Sequence, residues 1–516
     1  MITGSLKKRI LPWAVHLFSL FLIPLYFLLH NYFLYREEVD FSSMTYSIGG
    51  WFLLPLFIYG LLYIRFKEKL KTARLIALIG LIFYFSFGPV YSFLSSIPYV
   101  RILTRVSVIS GLLSVFILVI IFFHRRINFE KTRFPQFIFI LITLLIIFDV
   151  VQLFLPDNRL SGNQYDLKEK DPLPSIRSSL KEKPDIYYIF FDELMQSDAV
   201  KEYLHYDNSK LDSVLTEKGF FVASKSRSAY YATPFSIASA FQSSVFIEKK
   251  KKNIHLLDYL IAYKEIQQNA VVPYLIDQGY SIQNFAHYKL FKEESAAMFK
   301  DPSYDTRQIV LNQTFSSLMY QLIYGVMADK LPAFMRHPEE EKAQIALAQK
   351  TVLKKYDQIR QASLKKSGKP LFVHGHFFVP HLPVFFDSAG RALRYEEVKY
   401  YEQNDQMTPA YKMNLAYSGK LIAGLVDEIM KHTNNQAVII IQSDHGFRGN
   451  QKNPVPAQYK FSNFTAVYYP DRNYQSLDKA FFLPNTFRYL LNKYSNDSVR
   501  LTSPEYIQLS SDFLDD

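Results

Sequence analysis

The chain is 516 residues long, contains no cysteine, and carries 59 Lys and Arg against 47 Asp and Glu, for a formal net charge of +12. Without cysteine, disulfides, a thiol nucleophile and cysteine-ligated zinc are all excluded. The basic excess would suit nucleic acid, but much of it flanks apolar runs, where it sets topology and faces lipid headgroups, so no nucleic-acid partner is expected.

A mean hydropathy of −0.02 averages two unlike parts. Up to about residue 155 long apolar runs dominate. The remainder, roughly 350 residues, alternates polar and apolar and is ample for a core of its own. Five apolar stretches, at about 10–34, 48–64, 75–94, 106–123 and 134–155, each approach bilayer-spanning length. The first follows Lys7, Lys8 and Arg9, is too long for a signal peptide and lacks a small-residue cleavage site, so it is kept as a helix.

Arg65, Lys67, Lys69, Lys71 and Arg74 crowd the second connection and Arg125, Arg126, Lys131 and Arg133 the fourth, whereas Glu37, Glu38 and Asp40 lie in the first. The positive-inside bias makes the N-terminus and the two basic loops cytoplasmic. Five spans then put everything after Pro156 outside, which implies a multi-pass protein of a bacterial-type inner (plasma) membrane with its soluble part extracytoplasmic or periplasmic. Asp149, near the outer end of the fifth span, is either functional or reaches to the interface. His16 and His30 are assigned to the interface. Residues 156–184, polar and punctuated by Pro172 and Pro174, form a linker, and 185–516 a catalytic domain.

In the soluble part, Pro184–Phe191 predicts a buried strand that ends on Asp192 and Glu193. A short strand is expected at Gly219–Val222. Thr233 before Pro234 reads as an N-cap followed by Pro at the first helical position, a helix start where free N–H groups and partial positive charge suit a phosphate or sulfate and a hydroxyl can attack the anion it helps to hold. Lys249 to Lys252 read as a solvated loop. Ser281 to Phe285 reads as a strand that runs out at His287. Leu311 to Met327 is amphipathic and aromatic and fits either core or a membrane surface, and Glu339–Lys366 predicts a long charged helix. Leu371–Pro383 is a strand carrying three His in eight positions; of these His381, past the strand end, is placed at the site and His374 in the structure. Pro409–His432 contains a helix. Ala437–Gln442 is an apolar strand that stops at Ser443, Asp444, His445 and Gly446. Phe464–Pro470 and Pro484–Lys493 add a strand and a helix. The alternation predicts an α/β fold with a mostly parallel sheet flanked by helices.

Asp192, Thr233, Asp444 and His445 thus bring carboxylates, one hydroxyl and one imidazole from separate strand ends and a helix start. That set suits one divalent cation, Mn, Zn or Mg, which would lower the pKa of the Thr hydroxyl and offset phosphoryl charge.

The order strand-Asp192, Thr233-x-x-Ser236, Pro380-His381-x-Pro383 and Ser443-Asp444-His445-Gly446 resembles the sulfatase-like branch of the alkaline phosphatase superfamily. Within it, the layout of five spans, linker and outward catalytic domain is similar to membrane phosphotransferases of the lipoteichoic acid synthase and phosphoethanolamine transferase type. The resemblance implies Asp192, Asp444 and His445 as metal ligands, Thr233 as nucleophile and ligand, and His287 and His381 as groups that bind substrate phosphate or protonate the leaving group. It implies transfer of a phospho-substituent from a phospholipid donor to an envelope glycan or glycolipid acceptor through a phospho-threonine. Alternatives are hydrolysis by a phosphodiesterase, phosphatase or sulfatase, or an inactive scaffold used for binding or sensing. The stretch Thr233-Pro234-Phe235-Ser236-Ile237 lacks the C/S-x-P-x-R pattern that formylglycine-dependent sulfatases need, which disfavours sulfate-ester hydrolysis.

Overall fold

The computed structural model describes residues 4–95, 133–154, 179–245, 256–291, 307–327, 338–449 and 454–509, save for 37, 38, 40, 67–69, 366, 367 and 497, with isolated residues between 103 and 111. The expected fourth apolar stretch, most of the linker and the Lys249–Lys252 run lie outside these residues. By contact the chain divides into Met1–Arg159 with Tyr304–His337, and Leu160–Ser303 with Pro338–Asp516.

The first unit holds α1 (Gly4–Tyr35), α2 (Thr45–Phe66), α3 (Leu70–Ser95) and α4 (Phe134–Phe154). Among the described residues, four helices are long and apolar enough to cross a membrane, so the count of five is not reproduced within them. Their inward faces pack through aromatics: Phe27 meets Trp51 edge-on at 5.0 Å and Phe85 at 4.7 Å. Phe137, Ile140, Leu144, Ile147 and Phe148 on α4 remain exposed, as a lipid-facing stripe requires. Asp149 is buried, and its Oδ2 lies 3.1 Å from His30 Nδ1.

The second unit is mixed α/β, built on a six-stranded, mostly parallel sheet in the order β2-β6-β5-β1-β4-β3. Its strands are β1 (Ile186–Phe191), β2 (Phe221–Val222), β3 (Ser281–Phe285), β4 (Leu371–Phe377), β5 (Val438–Gln442) and β6 (Thr465–Tyr468). β3, β4, β1 and β5 are parallel neighbours. β6 runs antiparallel to β5, and the described residues that join them hold one short helix, Ala457–Lys460, and no crossover.

β1 is buried on both faces. Ile186, Tyr188 and Phe190 join one core with Phe235, Phe241 and Phe487, under α5 (Thr233–Gln242) and the C-terminal helix Thr486–Tyr494. Tyr187, Ile189 and Phe191 join the other with Ile359 and Leu425, under α6 (Pro338–Leu364) and α7 (Met407–His432). Each such side chain contributes about 1.5–3 kcal/mol on burial. Phe190 pairs with His376 on β4 and with Gln442 on β5. This register fixes the site: Asp192 follows Phe190 by two residues and Asp444 follows Gln442 by two, so both emerge at one sheet edge beside His376.

Candidate metal and nucleophile site

At that edge Asp192, Asp444, His445 and His376 are all buried. His445 Nε2 lies 3.3 Å from Asp444 Oδ2 and 3.7 Å from Asp192 Oδ1. His376 Nε2 lies 3.8 Å from Asp192 Oδ2. Thr233 is the first residue of α5 and not its N-cap, which is the extended Ala232, and it sets its Oγ1 3.3 Å from His445 Nε2. Thr233 Oγ1, Asp444 Oδ2 and Asp192 Oδ1 thus each lie within 3.7 Å of His445 Nε2.

A cation fits here on chemical grounds. Asp192 Oδ1, Asp444 Oδ2 and His376 Nε2 are buried polar atoms without hydrogen-bond partners, a state that costs about 1–3 kcal/mol or more for each. Asp192, His376 and Asp444 each offer a ligand atom, and these atoms lie within 4.8 Å of one another. Ligands bound at about 2.1 Å can stand at most about 4.2 Å apart, so the set closes on an ion with shifts of tenths of an ångström.

The surroundings orient the donors. His445 Nδ1 donates to Gly446 O at 2.9 Å, which leaves Nε2 with its lone pair on the side of Thr233, Asp444 and Asp192. Asp444 Oδ1 accepts from the backbone N–H of His445 at 3.0 Å and of Glu193 at 3.3 Å. Glu193 holds φ 62, the left-handed region that a non-glycine residue adopts at a cost, and so aims its N–H at Asp444. Gly446 is required by close approach: a Cβ there would sit 2.2 Å from Tyr459 O and 2.7 Å from Ser462 O.

Burial, then the neighbouring Asp444 and Glu193 carboxylates, push Asp192 well above the usual carboxylate range. Burial, with His287 and Lys355 adding positive charge, holds His376 well below the ordinary imidazole value. The site thus presents neutral imidazoles and crowded carboxylates, a donor set that a divalent cation would relieve.

His287, expected to touch substrate, is buried behind His376, with its Nδ1 3.2 Å from His376 Nδ1. His381 Nε2 lies 2.7 Å from Arg448 Nη2, so in this geometry it accepts a hydrogen bond there. Arg448 Nε also donates to Glu193 Oε1 at 2.7 Å. His374 is structural, with Nδ1 3.0 Å from Tyr188 O and Nε2 2.8 Å from Tyr288 OH.

Sequence reasoning missed His376, Arg448 and the role of Glu193. His376 shares its strand face with His374 by two-residue alternation, and being two residues nearer the strand end was the available signal. Arg448 lies four residues past Asp444, in the loop that any strand-end site would use.

No protein-family model matches the sequence, and a search of curated proteins finds no relative. Among solved structures, the chain is similar to the periplasmic domain of EptC from Escherichia coli in complex with zinc (TM-score 0.38, 10% identity, 62% of this chain and 85% of that one). It is also similar to the periplasmic domain of the phosphoethanolamine transferase EptC from Campylobacter jejuni (0.34, 12%, 60% and 89%) and to the lipoteichoic acid synthase LtaP from Listeria monocytogenes (0.36, 9%, 68% and 80%). A putative sulfatase from Bacteroides fragilis is a further match.

Proposed function

We propose that the chain is a metal-dependent phosphotransferase that moves a phospho-substituent, of phosphoethanolamine or phosphoglycerol type, from a phospholipid to an envelope glycan or glycolipid. The observation that carries this reading is the buried group Asp192, His376, Asp444 and His445 with the Thr233 hydroxyl beside it at a helix start. Asp192, Asp444, His445 and Thr233 would hold the cation, with His376 as a further ligand. Once bound, it would lower the pKa of the Thr hydroxyl and offset charge on the phosphoryl oxygens.

Thr233 Oγ1 bonds to phosphorus while the phosphorus–oxygen bond to the lipid alcohol breaks, and the proton that Oγ1 gives up is taken up by the departing lipid oxygen, which leaves as the alcohol. The first turn of α5 adds N–H dipoles toward the phosphoryl group. Arg448, with guanidinium donors beyond the one given to Glu193, binds phosphoryl oxygens. His381, released from Arg448 when substrate draws that guanidinium away, serves the leaving group. An acceptor hydroxyl then attacks the phospho-threonine and restores Thr233.

The membrane reading rests on the four apolar helices, and the extracytoplasmic placing on the charge of the loops. The test uses purified full-length protein in liposomes that carry headgroup-labelled phosphatidylethanolamine or phosphatidylglycerol. Release of the lipid alcohol with label retained on the protein and passed to a glycan hydroxyl supports transfer. Label released only to water, or turnover only of p-nitrophenyl sulfate or phosphate monoester, replaces it with hydrolysis.

A further inference from the structure

We infer that the segment Arg307–Met327 is an arm seated on the outer end of α3, with one face of its helix lying in the lipid headgroup and acyl boundary. The chain leaves the second unit after Ser303 and re-enters it at Pro338, and the intervening Tyr304–His337 groups with the apolar helices. The described residues of that stretch hold two helices, Arg307–Leu311 and Phe315–Met327.

The seat is specific. Gly88 N–H of α3 donates to Gln313 O at 2.9 Å, beside Pro89, which has no N–H of its own. A Cβ on Gly88 would stand 2.4 Å from both Asn312 O and Gln313 Cα, so the turn fits because residue 88 has no side chain. Phe315 sits 4.9 Å from Phe87 and 5.3 Å from Phe83, Tyr84 OH meets Ser316 Oγ at 2.6 Å, and Met319 is buried against Phe87 and Ile109.

Depth follows from α3. Its apolar window runs from Lys71 to Leu94. Gly88 lies six residues inside that window, about 9 Å along the axis. Interfacial helices bury an apolar face about 5–10 Å into the same boundary. The basic loop before α3 makes its C-terminal end the outer one. Tyr320 and Ile323 are exposed on the arm, and Phe83, Val90 and Phe93 are exposed on α3, so the arm continues the lipid-facing surface of the span. The occupant of that face is the outer leaflet.

The inference rests on the apolar helices spanning a membrane, and its test carries a control for that. The chain has no cysteine, so single substitutions label cleanly. Ile323→Cys and, as control, Phe148→Cys are labelled with an environment-sensitive fluorophore in full-length protein in liposomes carrying nitroxide lipids. The expected result is that the Ile323→Cys probe loses most of its emission to a nitroxide near the top of the acyl chain and little to one near its end. Gly88→Ala, which favours helix and so leaves α3 intact, restores that emission while the Phe148→Cys probe stays quenched.

An Ile323→Cys probe unquenched by lipid while Phe148→Cys is quenched overturns the arm and leaves the spans standing. Shielding of Ile323→Cys from aqueous iodide as well as from nitroxide shows protein cover and also overturns it. Quenching that Gly88→Ala leaves unchanged overturns the seat. Failure of both probes to quench overturns the membrane reading itself.

Discussion

The Thr233 hydroxyl stands 3.3 Å from His445 Nε2 although the two residues are 212 positions apart. One comes from a helix start and the other from a strand end, and the sheet register brings them together. A helix start alone would not need a buried imidazole and two buried carboxylates at its side. The hydroxyl is in a position to be both ligand and nucleophile.

Thr233→Ala is therefore expected to reduce turnover of the lipid donor by at least about a thousandfold, some 4 kcal/mol of barrier. Thr233→Ser should recover part of it. Thermal unfolding should change little, because Thr233 is not the residue that caps α5. Retention of full activity in Thr233→Ala ends the nucleophile assignment.

Removal of a ligand should release the cation. Asp192→Asn and His376→Ala are each expected to lower the metal retained after gel filtration, read by elemental analysis. They should also lower the rise in Tm on adding metal, which for saturation at a hundredfold excess over Kd is worth about 2.7 kcal/mol. Replacement of His287 by Ala, which takes away the partner of His376 Nδ1, should weaken binding by about 10–100-fold without removing a ligand. Unchanged metal content in both Asp192→Asn and His376→Ala would put the cation elsewhere.

Much of this was legible before any coordinates. β1 and β5 announce themselves as apolar runs that stop on acid, because a doubly covered strand must be apolar until it reaches the edge where loops gather. Thr233-Pro234 marks a helix start because proline is tolerated there. Register was not legible: only the pairing of Phe190 with His376 says which of two same-face histidines reaches the cavity. Nor was the partner of Leu311–Met327, since amphipathicity states that a face is buried and not what buries it. Arg448 escaped because its reach to Glu193 and His381 is a tertiary contact with no local pattern.

The buried imidazoles set an acid limit on stability. Burial holds His374 down at about 3, and His287 and His376 well below their ordinary value. Each folded-state pKa is depressed, so the contribution is present above the unfolded value near 6.5 and is lost as pH falls toward the folded one. Stability should drop below about pH 6.5 by roughly 1.4 kcal/mol per pH unit for each imidazole still neutral in the fold. His374→Phe should flatten that limb by one proton. An acid limb equally steep in His374→Phe shows that this imidazole does not titrate on unfolding.

Glu193 and Arg448 should behave as a unit. The carboxylate is almost wholly buried, and despite that burial His381 and Arg448 hold it below the usual range. Arg448→Ala leaves it uncompensated and is expected to cost about 3–5 kcal/mol of folding stability. The pair Glu193→Gln with Arg448→Met removes both charges at similar volume and should recover most of that loss while activity stays absent. Arg448→Lys keeps the charge but not the planar fork, so the donor's kcat/KM should fall by about tenfold or more with the fold intact. A double variant as unstable as Arg448→Ala alone would show that the arginine holds the fold by packing. A fully active Arg448→Lys would remove the guanidinium from phosphate binding.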